Sequence, residues 1–264
     1  TYMRGVVLDV DGTVLRGSTL VPGARRGLDA VNEAGARQLF VSNNPTKAPD
    51  AYAKRLRDAG VEADAESVVT SGTTTVAYLR EHHPEGRALV VGEEGLRAQV
   101  RAAGLTLVDS EAVASADHGV EVVVASIDRD LRYDDLSVAL WALQDGAALV
   151  GTDPDRTIPT EGRDLPGSGA VVGAVSHLAD RTPDAVLGKP SPTAQRIVRE
   201  RLSLPPEDCL VVGDRLDTDV ALGARAGMET ALVLTGVATR EEAKRADHRP
   251  DHVLESLGDL PAIL

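Results

Sequence analysis

Cysteine occurs once in these 264 residues, at Cys209, so no disulfide can form within one chain, which suits a reducing cytosol. Aromatic residues are almost as scarce: Phe40 and Trp141 are single, and four tyrosines complete the set. Nucleobases therefore have no platform to stack on. Lysines and arginines number 28 against 41 aspartates and glutamates, and a net charge of −13 argues against the basic surface that nucleic-acid binding requires. No apolar run approaches the length of a membrane span, and the first residues lead into a strand rather than a signal peptide. A cytoplasmic protein with no membrane or nucleic-acid partner is expected. Lysine itself is rare, at positions 47, 54, 189 and 244 only. An acidic chain in which arginine replaces lysine is expected of a halophile, where salt screens dense charge, and equally of a GC-rich genome. Loss of fold in low-salt buffer separates the two.

Short, continuous, valine-rich runs alternate with helical periods, as in strands buried on both faces of a parallel sheet. Strands are predicted near residues 5–10, 37–42, 67–70, 87–92, 120–126, 147–151, 185–188, 209–213 and 229–234. Pro22-Gly23 opens the first helix, whose Ala24, Leu28 and Val31 recur at helical spacing up to Gly35. This is α/β, doubly wound architecture. Breaks at Glu81–Gly86 and Asp180–Asp184 enclose about 100 residues with strands and helices of their own, enough for a small inserted domain. Residues 1–80 and 182–264 then form the core domain, and residues 81–181 the smaller inserted α/β domain.

In an open parallel sheet, ligands bind at the carboxyl edge, where loops and helix N-termini gather. Four predicted strand ends in the outer segments carry groups suited to phosphate chemistry. Asp9 and Asp11, two apart, start on one face of the first strand and repel unless a cation lies between them; hard oxygen ligands favour Mg2+. Ser42-Asn43-Asn44-Pro45-Thr46 offers a hydroxyl, amides and backbone N–H groups for phosphate oxygens at a helix start. Gly188-Lys189-Pro190 puts one of the few lysines at a strand end, where its point charge can neutralise a transferring phosphoryl group. Gly213-Asp214-Arg215-Leu216-Asp217-Thr218-Asp219 runs a further strand into carboxylates. Asp214 can complete a metal site, Asp219 can brace Lys189 or a metal-bound water, Arg215 is a candidate substrate contact, and Asp217 is the expected N-cap of the following helix.

Asp-x-Asp-Gly-Thr, then Ser after a strand, then Gly-Lys-Pro, then Gly-Asp-x-x-x-Thr-Asp resembles the haloacid dehalogenase-like (HAD) phosphohydrolase superfamily. Ser42-Asn43-Asn44, Gly188-Lys189-Pro190-Ser191-Pro192 and the place of the insertion are similar to its NagD/4-nitrophenylphosphatase branch, as are Pro159-Thr160-Glu161 and Pro166-Gly167-Ser168-Gly169-Ala170. The resemblance implies a Rossmann-like core with an inserted cap, and a Mg2+-dependent phosphatase acting on a small phosphorylated metabolite. In that scheme Asp9 is the nucleophile, Asp11 the general acid and base, and Lys189 the neutralising cation. Asp9, Asp214 and the backbone carbonyl of Asp11 hold the metal, Ser42, Asn43, Asn44, Lys189, Arg215 and Asp219 form the substrate site, and Thr13 supports the loop. Relatives also imply a homodimer built through the cap. Thr152-Asp153-Pro154-Asp155 follows a cap strand and could face the site, although the branch often has Asn where this chain has Asp153. Competing readings are a catalytically silent relative used for binding, a phosphomutase, and a dinucleotide site at Gly167–Gly173; the last lacks the preceding strand that it needs. Histidines sit at none of the strand ends, and Cys209 is expected in the core.

Overall fold

The computed structural model describes residues 3–115, 118–158, 160 and 162–264. Pro159 and Glu161, two of the residues that carry the resemblance in the insertion, lie outside them.

Two parallel sheets organise the molecule. The first has six strands in the order His252–Leu254, Glu229–Val233, Cys209–Gly213, Gly5–Asp9, Arg37–Ser42 and Val68–Thr70. The chain starts in Gly5–Asp9, builds outward on one side, and later returns to build on the other. The order therefore reverses beside the strand that ends in Asp9, where a crevice is forced open. Strand alternation explains why both faces are covered. Val6, Leu8, Phe40, Leu210 and Val212 enter one core, while Val7, Leu39, Val41, Cys209 and Val211 enter the other. Each run reads as continuously apolar because both of its faces are buried.

The second sheet has five strands, in the order Ala185–Val186, Ala148–Gly151, Val122–Ala125, Arg87–Val91 and Thr106–Leu107. The same alternation builds two smaller cores, with Leu89, Val123 and Leu149 on one face and Val90, Val122 and Val150 on the other. Ala185–Val186 pairs with Ala148–Gly151, so this strand edges the inserted sheet and is no part of the outer one. The sequence reading placed it in the outer sheet. An isolated apolar strand does not encode its partner, and only the packing of Leu187 among Val90, Val122 and Val150 assigns it.

The first helix, Ala24–Glu33, buries Ala24, Leu28 and Val31 as the spacing predicts. The glycines at 167 and 169 open the helix Ser168–Leu178 and let its start approach closely, since a Cβ at either position would lie within 2.4 Å of the Asp155 or Pro154 carbonyl oxygen. His82 ends the helix Ser71–His82, where its ring stacks on Tyr78 and its Nδ1 lies 3.0 Å from the Tyr78 carbonyl oxygen.

Candidate active site

Asp9 is the last residue of its strand, level with Val41 of the neighbouring strand. Leu8 is level with Val212 on the other side, so Asp214 emerges one step beyond Asp9 at the centre of the edge. Both carboxylates are buried. Lys189 reaches them from the end of the inserted sheet's edge strand. Its Nζ donates to Asp9 Oδ1 at 2.6 Å, to Asp219 Oδ1 at 2.6 Å and to the Val41 carbonyl at 2.9 Å, which engages all three ammonium protons. Burial alone would depress the Lys189 pKa, but the carboxylates of Asp219 and Asp9 outweigh it and hold the ammonium above its ordinary range.

Asp219 is aimed by an unusual turn. Val220 N donates to Arg215 O across five residues at 3.1 Å, making a π-helical turn over Leu216–Val220. The wide turn lets Asp219 Oδ2 fold back onto Arg215 N–H at 3.0 Å while Oδ1 meets Lys189. Arg215 is therefore the N-cap residue, and Asp217, expected in that position, lies exposed within the turn. The cause is that the N–H groups of Asp219 and Val220, which a cap at Asp217 would take, already donate to Arg215 O at 3.2 and 3.1 Å.

Burial raises the Asp9 carboxyl well above the usual carboxylate range, and Lys189 only partly offsets this. Asp214 is pushed up to about 7 by burial and by the charge of Asp219. One oxygen of each, Asp9 Oδ2 and Asp214 Oδ1, is buried without a hydrogen-bond partner. Asp9, Asp214 and Asp219 can each bring an oxygen within 4.8 Å of the others. Three buried carboxylates share one bonded ammonium among the described residues, and two of their oxygens are orphaned. A hard divalent cation such as Mg2+ fits this donor set. Neighbouring glycines make the space: a Cβ on Gly236 would lie 1.8 Å from Asp214 Oδ2, and one on Gly12, at φ +95°, would lie 2.5 Å from it.

The Asp11 side chain stands apart from this trio. Arg55 donates to its Oδ1 at 2.7 Å and Tyr52 OH to its Oδ2 at 3.2 Å. Both partners project from the helix Pro49–Asp58, three residues apart and so on one face. Ser42 Oγ donates to Tyr52 OH at 3.1 Å and accepts from Asn44 N at 3.1 Å, tying the second loop to the same helix. That helix starts at Pro49, after the Asn44–Thr46 turn rather than within it, because Asn44 Oδ1 takes the Thr46 N–H at 2.9 Å. Neither Tyr52 nor Arg55 was read from the sequence; their i, i+3 spacing on a helix after the second loop is the signal that was there.

Asn43 acts as a clamp. Its Oδ1 accepts from Lys189 N at 2.7 Å, and its Nδ2 donates to Lys189 O at 3.2 Å and to Asp155 Oδ1 at 3.3 Å. Arg215 crosses to the inserted unit and donates to Thr157 O at 3.0 Å. Asp153, buried, accepts from Thr152 Oγ1 at 3.0 Å and from Asp155 N at 3.2 Å, so it is a turn former that also lines the cavity. Burial and the neighbouring Asp155 push it up to about 8. Asp155, the last residue of the Thr152–Asp155 segment expected to face the site, stands in the wall beside Asn43 and Arg215. Thr13 is fully buried behind the loop.

The chamber so formed is about 110 Å³, lined by Asp9, Asp11, Ser42, Asn44, Lys189 and Asp214 among others. A doubly wound sheet with a carboxylate and lysine cluster at its reversal point, covered by an inserted α/β unit, defines a class of hydrolase. The Haloacid dehalogenase-like hydrolase family model matches residues 6–106, and a HAD-hydrolase-like model matches residues 186–260. The chain is 35% identical to an acid sugar phosphatase of Staphylococcus haemolyticus, over 96% of this chain and 94% of that protein. It superposes on the p-nitrophenyl phosphatase from Archaeoglobus fulgidus with a TM-score of 0.90 and 34% identity, covering 100% of both chains. Against glycerol phosphate phosphatase Rv1692 from Mycobacterium tuberculosis, in complex with magnesium, the TM-score is 0.87 at 33% identity, covering 98% of this chain and 76% of that one. The chain belongs to the haloacid dehalogenase-like hydrolases, in their NagD-like branch, and is a phosphomonoester hydrolase acting on small phosphate substrates. No helix among the described residues is long and apolar enough to cross a membrane.

Proposed function

We propose that this phosphatase is Mg2+-dependent and works through an aspartyl-phosphate on Asp9, with sugar phosphates, nucleotides and similar small esters as its substrate range. The observation that carries the reading is the state of Asp9: Oδ1 is pinned by Lys189, while Oδ2 is buried, unpartnered and beside the chamber. Asp9 Oδ2 attacks phosphorus and the bond to the leaving oxygen breaks as Asp11 gives that oxygen its proton. Asp11 then takes a proton from water, the water oxygen attacks phosphorus, and the bond to Asp9 breaks to release inorganic phosphate. Asp9, Asp214 and the Asp11 carbonyl would hold Mg2+, which when bound would supply the positive charge that an anionic nucleophile needs to approach a phosphate dianion. Lys189 holds Asp9 in one orientation and adds its own charge. Tyr52 and Arg55 position Asp11, and Asn43 positions Lys189. Ser42, Asn44 and Arg215 supply the remaining polar contacts to phosphate.

The inserted unit is the cap, closing the site to water. With Ala185–Val186 in its sheet, its second junction with the core falls at Gly188. A homodimer through the cap accords with Tyr133 and Trp141, which are 83% and 44% exposed on the helix Tyr133–Gln144; sedimentation of the intact chain tests it. The mechanism itself is tested by trapping. Borohydride reduction during turnover of 4-nitrophenyl phosphate with Mg2+ should mark Asp9, and a mark on any other residue, or full activity in Asp9→Asn, overturns it.

A further inference from the structure

The loop that carries Ser42, Asn43 and Asn44 to the chamber is held from two sides. On the core side, Ser42 Oγ donates to Tyr52 OH at 3.1 Å and Ser71 Oγ to the Asn43 carbonyl at 2.7 Å. On the other side stands the helix Glu94–Ala102 of the inserted unit, whose Leu96 and Val100 enter a core with Val90 and Val122. Gly95 and Gln99 each precede one of these and lie four apart, so they form a second stripe along the same helix. That stripe meets the loop. Gln99 Nε2 donates to the Pro45 carbonyl oxygen at 3.1 Å, and a Cβ on Gly95 would lie 1.8 Å from the Thr46 carbonyl oxygen.

The residue types suit this contact. Gly95 has an ordinary helical backbone, where alanine would make the stronger helix, so the close approach of Thr46 is what calls for glycine. Gln99 Nε2 gives its other proton to the Gly95 carbonyl at 2.9 Å, which fixes the amide against the loop. Gly72, in the first turn of the helix Ser71–His82, leaves room for that amide, since a Cβ there would lie 2.6 Å from Gln99 Oε1. Pro45 is buried and lines the chamber, and among the described residues no other donor reaches its carbonyl. Removing the Gln99 donor therefore leaves a buried carbonyl unsatisfied unless the loop shifts to reach water. A shift of Pro45 and Thr46 carries Asn44 with it, because Asn44 Oδ1 accepts from Thr46 N at 2.9 Å and Thr46 Oγ1 at 2.7 Å.

Resting on the phosphatase reading, we propose that Gln99 is a positioning residue for the phosphate-holding loop, so that the inserted unit acts on the phosphoryl group common to all substrates. Gln99→Met keeps the length of the side chain and removes its donor. With the intact enzyme and Mg2+, inorganic phosphate should inhibit this variant about fivefold more weakly than the parent. KM for 4-nitrophenyl phosphate and for glycerol 3-phosphate should rise by that same factor, with kcat changed by about twofold at most. Gly95→Ala displaces the loop through a different atom and should give the same pattern, while thermal melting shows that each variant is folded. A lowered melting temperature with the parent's kinetic constants in both variants would make the contact structural only and overturn the inference. Factors that differ between the two esters, with phosphate inhibition unchanged, would overturn it as well, and both results leave the phosphatase reading intact. No turnover of either ester by the parent would defeat that reading, and this inference with it.

Discussion

Both parallel sheets turn their carboxyl ends toward one cavity, yet they furnish it with opposite chemistry. The outer sheet contributes Asp9, Asp11 and Asp214, while the inserted sheet contributes Ile127, Asp153 and the stem that carries Lys189. Strand-end placement is common to the two because helix and loop geometry gathers side chains there in any such sheet. Charge is what differs. On the core side, carboxylates are crowded around one ammonium and retain orphaned oxygens. On the cap side Ile127 and Ile158 stand beside Asp153 and Asp155, and the buried Asp153 is pushed up to about 8, so it is predominantly neutral at pH 7. A reaction that moves a doubly charged group needs the first kind of surface.

The sharpest way to break this contrast is to remove the nucleophile from the core side. Asp9→Asn should lower turnover of 4-nitrophenyl phosphate by about 10³-fold or more with the fold retained, judged by steady-state rates and circular dichroism. Lys189→Met leaves three carboxylates without their bonded cation. It should abolish measurable turnover and cost about 3–5 kcal/mol of stability at pH 8, read by denaturant titration. The deficit should shrink toward pH 5, because the raised pKa values of Asp9 and Asp214 let both take up protons as pH falls. An equal deficit at both pH values would count against the charge argument.

Chelation tests the orphaned oxygens directly. Mg2+ should raise the melting temperature of the chelated protein and restore activity, and Asp214→Asn should lose most of the thermal shift. Positioning is a smaller effect: Tyr52→Phe should lower kcat about tenfold with KM nearly unchanged, since it loosens Asp11 without touching phosphate. Smallest is Asp153→Asn on the cap side. A carboxyl whose folded pKa is raised favours folding below its unfolded pKa and loses that advantage as pH rises through about 8. The variant should therefore be more stable than the parent above pH 8 and should gain little near pH 4. Equal gains at both ends would show that packing, rather than charge, sets the cost.

Much of this contrast is legible in the sequence. Valine-rich runs ending in Asp9, Ser42 and Gly213 identified three ends of the outer sheet because strand periodicity and buried composition are local properties. The bracing of Lys189 by Asp219 was also anticipated, and is found at 2.6 Å. Other features depend on long-range packing. Tyr52 and Arg55 meet Asp11 across 41 and 44 residues, and Asn43 meets Asp155 across 112. His252–Leu254 and Thr106–Leu107 are short edge strands, half exposed and without a continuous apolar run, so composition did not mark them.

By itself the sequence determined the inventory: which residues form strands, which carboxylates, hydroxyls and lysine stand at their ends, and which superfamily those ends resemble. Only the tertiary structure decided that Lys189 arrives from the inserted sheet, that the Asp11 side chain is held away from the buried trio, and that a second, wider cavity lies beyond it. The physical reason is one of range. Backbone periodicity and capping act over a few residues, whereas strand partners and the convergence of side chains are settled by which surfaces exclude water together, and no short stretch of chain encodes that.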